Sequence, residues 1–120
     1  MSPLTSPTLT PPSPVLVLVR DLLFASRITA TARAIDVPIK LLRDETKLTL
    51  EPGRRLIVVL NQAGALGAAV DWKKQTGGEV IGFAFHVDAE TIRRARDAGI
   101  DQVLPRSRFV SELEALLRVV

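Results

Sequence analysis

Four short apolar runs, with a fifth shorter one near the end, recur along the chain and are bounded by polar or turn-forming residues. Their apolar character is continuous, whereas a strand with one wet face would alternate. We therefore predict parallel strands in a sheet that is covered on both faces. The predicted strands are Val15–Val19, Val37–Leu42, Leu56–Leu60, Val80–Phe85 and Gln102–Leu104.

The segments between these runs carry helical signals. In the first of them Phe24, Ile28, Thr31 and Ile35 recur at helical spacing. Alternation of strand and helix predicts βαβ units with right-handed crossovers. The predicted helices are Leu22–Ile35, Gly64–Gln75, Asp88–Ala98 with Asp88 as N-cap and Gly99 as stop, and Ser111–Val119 with Ser107 as an alternative start.

The connection Arg43–Arg55 shows no helical stripe, and Pro52 and Gly53 signal a turn. Three forms are open for it: a loop, a single turn, or an extra extended piece at Leu48–Leu50. The start of the chain is also atypical. Residues 1–14 are rich in Pro, Ser and Thr and predict a disordered or extended tail, which leaves one α/β domain at residues 15–120.

Composition narrows the classes of function. The chain has no Cys, so disulfides and thiol chemistry are excluded, and it has no apolar run long enough to cross a bilayer. We expect no membrane partner and a cytoplasmic location. The net charge is +3, and Arg supplies most of the 16 basic residues, which permits an acidic partner, including nucleic acid.

The stretch Ala98-Gly99-Ile100-Asp101-Gln102-Val103-Leu104-Pro105-Arg106 resembles the segment that leads into the last strand of response-regulator receiver domains (CheY-like). The resemblance extends over roughly Val15 to Val120. It implies a three-layer α/β/α sandwich with a flavodoxin-like, five-stranded parallel sheet of order 2-1-3-4-5, preceded by the tail.

The resemblance also implies where phosphorylation chemistry would lie, and the residues found there depart from it. Arg20-Asp21 stands where receivers carry the acidic pair that holds Mg²⁺, and Asn61 stands at the phosphoacceptor Asp. Ala84 or Phe85 falls on the hydroxyl switch position. Arg106 matches the phosphate-pairing Lys, and Ser107 replaces the Pro that follows it.

An amide is no phosphoryl nucleophile, and a cation repels Mg²⁺. We therefore predict a pseudo-receiver that is not an enzyme, with no catalytic residue, no metal ion and no cofactor. Across the old site the resemblance places Arg106 near Asp21, the one carboxylate it leaves there. We predict either an Arg106–Asp21 ion pair or an Arg106 side chain that points to solvent.

The leading hypothesis for function is a protein–protein interaction module in regulation or signalling, with a homodimer through the last two helices as one form. Its candidate interaction face is basic and comprises Arg93, Arg94, Arg96, Arg106 and Arg108. Acidic residues are interspersed, so a solvated charged face is the competing interpretation. The partner itself cannot be named from the sequence.

Two other functions stay open: nucleic-acid binding through the Arg excess, and small-molecule binding at the carboxyl edge of the sheet. The second would use Asp21, Asn61, His86 and Arg106, although a loop His with local hydrogen bonds is commoner. The Gly64–Ala69 stretch lacks the phosphate-loop fingerprints and favours close helix–sheet packing. Trp72 is predicted to pack half-buried at an edge.

Overall fold

The computed structural model describes residues 14–48, 51–61, 64–84 and 89–118. Within these ranges five parallel strands form one sheet in the order β2-β1-β3-β4-β5, which confirms the predicted order. Of the predicted tail, residues 1–14, only Pro14 belongs to the described residues. The strands are β1 (Val15–Leu18), β2 (Ile39–Leu42), β3 (Arg55–Val59), β4 (Glu79–Ala84) and β5 (Gln102–Pro105).

Strand boundaries differ from the prediction by one or two residues. β2 begins at Ile39 and not at Val37. Pro38 has no amide to donate, although its carbonyl accepts a hydrogen bond from Val15 N at 3.1 Å. Phe85, the predicted end of the fourth strand, lies outside the described residues.

Five helices flank the sheet in the described ranges. The final helix was predicted as one element, and this is wrong, because the backbone leaves helical geometry at Glu112 (φ −106°, ψ 10°) and starts again. The described part of the connection at 43–55 contains a 3₁₀ turn at Glu45–Lys47, in agreement with the second of its three predicted forms. Positions 49 and 50 of the extended piece that the third form places at Leu48–Leu50 lie outside the described residues. The helices are α1 (Leu22–Ala34), α2 (Ala65–Thr76), α3 (Ala89–Asp97), α4 (Arg106–Ser111) and α5 (Leu113–Leu117).

Alternate strand residues face opposite sides of the sheet and give two buried clusters. On one side Val17, Ile57 and Phe83 pack beneath α1, α4 and α5. On the other side Leu18 and Val58 pack with the buried residues of α2 and α3. The molecule is therefore a three-layer α/β/α sandwich, as predicted.

Trp72 of α2 is fully buried, so its predicted half-exposed position is wrong. Its Nε1 donates a hydrogen bond to the carbonyl of Glu51 at 2.9 Å, which fastens the connection between β2 and β3 against α2. A Cβ built on Gly78 would lie 2.3 Å from the indole. Position 78 therefore needs glycine to let the ring approach the chain.

The Ala-Gly-Ile-Asp turn before β5 is bonded to two other elements of the fold. Gly99, two residues after the end of α3, adopts a positive φ of 95° that a continuing helix cannot accommodate. Asp101 Oδ2 accepts hydrogen bonds from Val80 N at 2.7 Å and from Lys73 Nζ at 2.7 Å. One carboxylate thus connects β4, α2 and the start of β5.

Replacing Asp101 by Asn should lower the free energy of unfolding by about 1 kcal/mol at pH 7, because two charge-assisted hydrogen bonds are weakened at a partly exposed site. Partial burial raises the pKa of Asp101, but the hydrogen bonds from Lys73 and Val80 outweigh it and hold that pKa below 3.8. A lowered pKa in the folded state gives stability that is present above the unfolded value and is lost as the pH falls through the folded value.

The difference between Asp101→Asn and the parent should therefore be full at pH 7 and shrink below about pH 4 in urea titrations. Asp71→Asn is the matched control, since that exposed carboxylate of α2 forms no ion pair with a described residue. A difference in the free energy of unfolding between Asp101→Asn and the parent that stays constant between pH 7 and pH 3 would refute this role of Asp101.

Candidate functional site

The site positions meet at the carboxyl edge of the sheet, because parallel strands all end there. Arg20 and Asp21 follow β1, Asn61 follows β3, and Arg106 follows β5. Ala84 is the last residue of β4 and is buried. Phe85 and His86, the other two residues predicted for this edge, lie outside the described residues.

Arg20 extends across this edge to the connection between β2 and β3. Its Nη2 lies 2.6 Å from Glu45 Oε2, and its Nε donates to the carbonyl of Arg43 at 3.1 Å. The Arg20 side chain is half exposed and that of Glu45 about a quarter exposed. The guanidinium is therefore bound by a carboxylate from the connection at 43–55, which shows no helical stripe in the sequence.

Glu45 also approaches the beginning of α2. A Cβ built on Gly64 would lie 3.2 Å from Glu45 Oε1, and Gly64 has a positive φ of 79°. A negative carboxylate near the first turn of a helix is favourable, because that end of the helix carries partial positive charge. Glu45 thus joins Arg20, at the end of β1, to the start of α2.

Asp21 has a local function as the N-cap of α1. Its Oδ1 accepts a hydrogen bond from Phe24 N at 3.1 Å and so satisfies an amide of the first helical turn. Of the two predicted forms of Arg106, the ion pair with Asp21 is not formed, and Arg106 is exposed. The guanidinium carbon of Arg106 lies 5.5 Å from the centre of the Phe24 ring, in cation–π contact.

Three stacked phenylalanines lie beneath Arg106. The ring of Phe83 is 4.1 Å from that of Phe109 and 5.0 Å from that of Phe24, measured between centroids. All three side chains are buried. They connect the end of β4 to α1 and α4, so an apolar cluster occupies the interior next to the position where receivers carry a switch hydroxyl.

A groove of about 260 Å³ opens beside Asn61. Asn61 belongs to its lining, but Asp21 and Arg106 do not, and His86, the fourth residue predicted for a small-molecule site, lies outside the described residues. Thr91 and Arg94 of α3 were not predicted to lie there. The lining residues are Leu60, Asn61, Gly64, Leu66, Gly67, Thr91 and Arg94.

Three of the five arginines of the predicted interaction face contact glutamates close in sequence. Arg93 and Arg94 both reach Glu90, at 3.1 Å and 3.7 Å. Arg108 Nε lies 2.6 Å from Glu112, whose carboxylate raises the pKa of the guanidinium above its ordinary value. This surface of α3 and α4 is therefore mixed in charge, as the interspersed acids indicate.

No helix in the described ranges combines the length and apolar character that crossing a bilayer requires.

Comparisons with known proteins identify the fold. No protein-family model matches the chain, and no curated protein matches it in sequence. Solved receiver domains match it in structure. The BeF3-activated receiver domain of DrrB, a protein of Thermotoga maritima, superposes with a TM-score of 0.75 at 13% identity, over 88% of this chain and 93% of that one.

Two further structures agree. A response regulator of Burkholderia pseudomallei, solved with a phosphorylated aspartic acid, a calcium ion and citrate, gives a TM-score of 0.74 at 14% identity, over 89% of this chain and 67% of that one. HP1043, an orphan response regulator of H. pylori, gives 0.72 at 16% identity, over 90% of this chain and all of that one. At these identities the likeness establishes the receiver fold.

The divalent cation that this fold implies does not suit the residues present. Such ions take oxygen ligands, chiefly carboxylates. Among the described residues no three His, Cys, Asp or Glu side chains come close enough to hold a metal ion. Where a second carboxylate would be needed stands Arg20, and the nearest acid that it contacts, Glu45, is engaged in the ion pair.

Proposed function

We propose that the protein is a receiver-like signalling module that accepts no phosphoryl group and acts through protein–protein contacts in one fixed state. The observation that carries this proposal is the Arg20–Glu45 ion pair at the carboxyl edge. It supplies a permanent cation where a receiver would recruit Mg²⁺ and a permanent carboxylate close to the start of α2.

The chemistry of the neighbouring positions supports the same conclusion. The amide of Asn61 lacks the lone-pair basicity of a carboxylate and cannot form an acyl phosphate. A divalent cation near Arg20 would meet repulsion, and release of Glu45 to bind it would leave that guanidinium without its carboxylate. Both the nucleophile and the counter-ion of phosphoryl transfer are therefore missing, and no other catalytic group is proposed.

A fixed state follows from the contacts around the site. A receiver signals by shifting between two populated conformations when it is phosphorylated. Here Glu45 holds the β2–β3 connection to Arg20, and Arg106 rests on the ring of Phe24 above the buried phenylalanine cluster. We expect these contacts to favour one arrangement, and output would then depend on how much protein and partner are present.

Nucleic-acid binding has less support. On the predicted interaction face, Arg93, Arg94 and Arg108 already contact glutamates on their own helices or the adjoining turn and are less available for phosphate contacts. If protein contacts are the main function, the affinity for DNA or RNA should change little with salt concentration.

Thermal unfolding with Mg²⁺ and beryllofluoride, a phosphoryl mimic, tests the proposal. A ligand that binds only the folded state at 100 times its dissociation constant adds about 2.7 kcal/mol of stability. We expect no change in Tm for this protein and a clear rise for the DrrB receiver domain, which is the positive control. A rise of several degrees in this protein would contradict the proposal.

A further inference from the structure

The first helix, α1, presents an apolar outer face to solvent. Leu22 is 62% exposed and Leu23 is 86% exposed, in the first turn of the helix. Ala30 and Ala34 follow Leu23 at helical spacing and are exposed as well. Burial of α1 is confined to the opposite side, where Phe24, Ala25, Ile28 and Ala32 face the core.

The charges of α1 are all positive. The helix contains no Asp or Glu, and its two charged residues are Arg27 and Arg33, both exposed. Neither forms an ion pair with a described residue, whereas Arg93, Arg108 and Arg118 are each matched by a glutamate close in sequence. Two cations without an ion pair to a described residue thus lie on the same helix as the exposed leucines.

A groove of about 300 Å³ borders this face where α1 meets α4 and α5. Arg27 and Thr31 form one wall, and Val110, Ser111 and Leu113 form much of the other. Glu114, also in the lining, is engaged by Arg118 at 3.1 Å. The face therefore combines exposed leucines with a groove of mixed polarity and two arginines. The positive charge favours a negatively charged partner.

We propose that the outer face of α1, with this groove, docks an acidic amphipathic helix of a partner protein. This rests on the proposed function and names the surface and the chemistry of the partner. Apolar side chains of the partner cover Leu22 and Leu23, and its carboxylates pair with Arg27 and Arg33. Charge complementarity selects this occupant, because a second copy docked face to face would bring like charges together.

The experiment uses the full chain and a fluorescent synthetic peptide of about 20 residues, helical, with Leu on one face and Glu on the other. Anisotropy titrations compare the parent with two variants of the face, Arg27→Glu/Arg33→Glu and Leu22→Ser/Leu23→Ser. The control, Lys47→Glu/Lys74→Glu, makes the same change in net charge at exposed residues of the 3₁₀ turn and of α2 that form no ion pair with a described residue.

We expect each α1 variant to weaken peptide binding at least tenfold and the control to weaken it less than about twofold. Thermal melts verify that the variants fold. The milder Arg27→Ala/Arg33→Ala replaces the arginine variant, and Leu22→Ala/Leu23→Ala the leucine variant, if either does not. Equal weakening in the control, no binding at about 1 mM peptide, or binding of vesicles of phosphatidylserine and phosphatidylcholine in place of the peptide would each overturn the inference.

Self-association that the α1 variants abolish, measured by sedimentation, would also overturn it, because the face would then belong to a homodimer. None of these outcomes bears on whether the site accepts phosphate. Failure here is therefore distinct from a rise in Tm with beryllofluoride, which would remove the proposed function itself.

Discussion

Replacing Trp72 by Ala should lower the free energy of unfolding by about 3–5 kcal/mol, the range for deleting a large buried aromatic side chain. The indole is fully buried between α2 and the sheet. It packs so closely against Gly78 that a side chain at position 78 would overlap the ring. The substitution also removes the donor to the carbonyl of Glu51. Urea titration followed by far-ultraviolet circular dichroism measures the loss without relying on tryptophan fluorescence.

Trp72→Phe separates the two contributions, because it keeps an aromatic ring but removes the hydrogen bond. We expect it to cost less than the alanine variant, roughly 1–3 kcal/mol, with the unpaired carbonyl of Glu51 as the main cause. A loss below about 1 kcal/mol for Trp72→Ala would mean that the indole does not hold the β2–β3 connection as described.

Replacing Phe83 by Ala should also cost about 3–5 kcal/mol, through the cavity left among Phe24, Phe109 and the sheet and through the lost ring stacking. Phe83 lies next to Ala84 at the carboxyl edge, so the same substitution measures how much the phenylalanine cluster stabilises that edge. Trp72 is the one tryptophan of the chain, so its fluorescence reports unfolding in urea.

Phe83→Leu, which keeps much of the apolar volume, should cost roughly 1.5 kcal/mol or less. Leu23→Ala, on the exposed face of α1, is the surface control and should change stability by less than about 0.5 kcal/mol. Similar losses for Phe83→Ala and Leu23→Ala would show that the cluster contributes nothing beyond an ordinary surface contact.

The sheet could be predicted because burial on both faces leaves a direct trace in the sequence. Runs such as Val15–Val19 and Leu56–Leu60 have no polar position to place toward water. The glycine-bounded helix ends were predictable for a similar reason, since Gly77 and Gly99 take positive φ values that other residues avoid. Sheet order then followed from the resemblance and from right-handed crossovers.

The contacts of the site could not be predicted in the same way. Glu45 lies 25 positions after Arg20 in a connection without periodicity, so only the folded chain brings the two side chains together. Of the two forms predicted for Arg106, the pair with Asp21 is not formed: Asp21 caps a helix within its own turn, and Arg106 contacts the ring of Phe24. The break at Glu112 has no Gly or Pro to announce it in the sequence, and the residues on either side of it, Phe109 and Leu113, are both buried in the core.

We propose that the receiver fold of this protein carries no phosphoacceptor chemistry. Incubation with acetyl phosphate and Mg²⁺, followed by intact-mass spectrometry, tests it most directly, with the DrrB receiver domain as the positive control. We predict an unchanged mass for this protein, because Asn61 is no nucleophile and Arg20 opposes the metal ion. An increase of about 80 Da, the mass of one phosphoryl group on a carboxylate, would contradict the account.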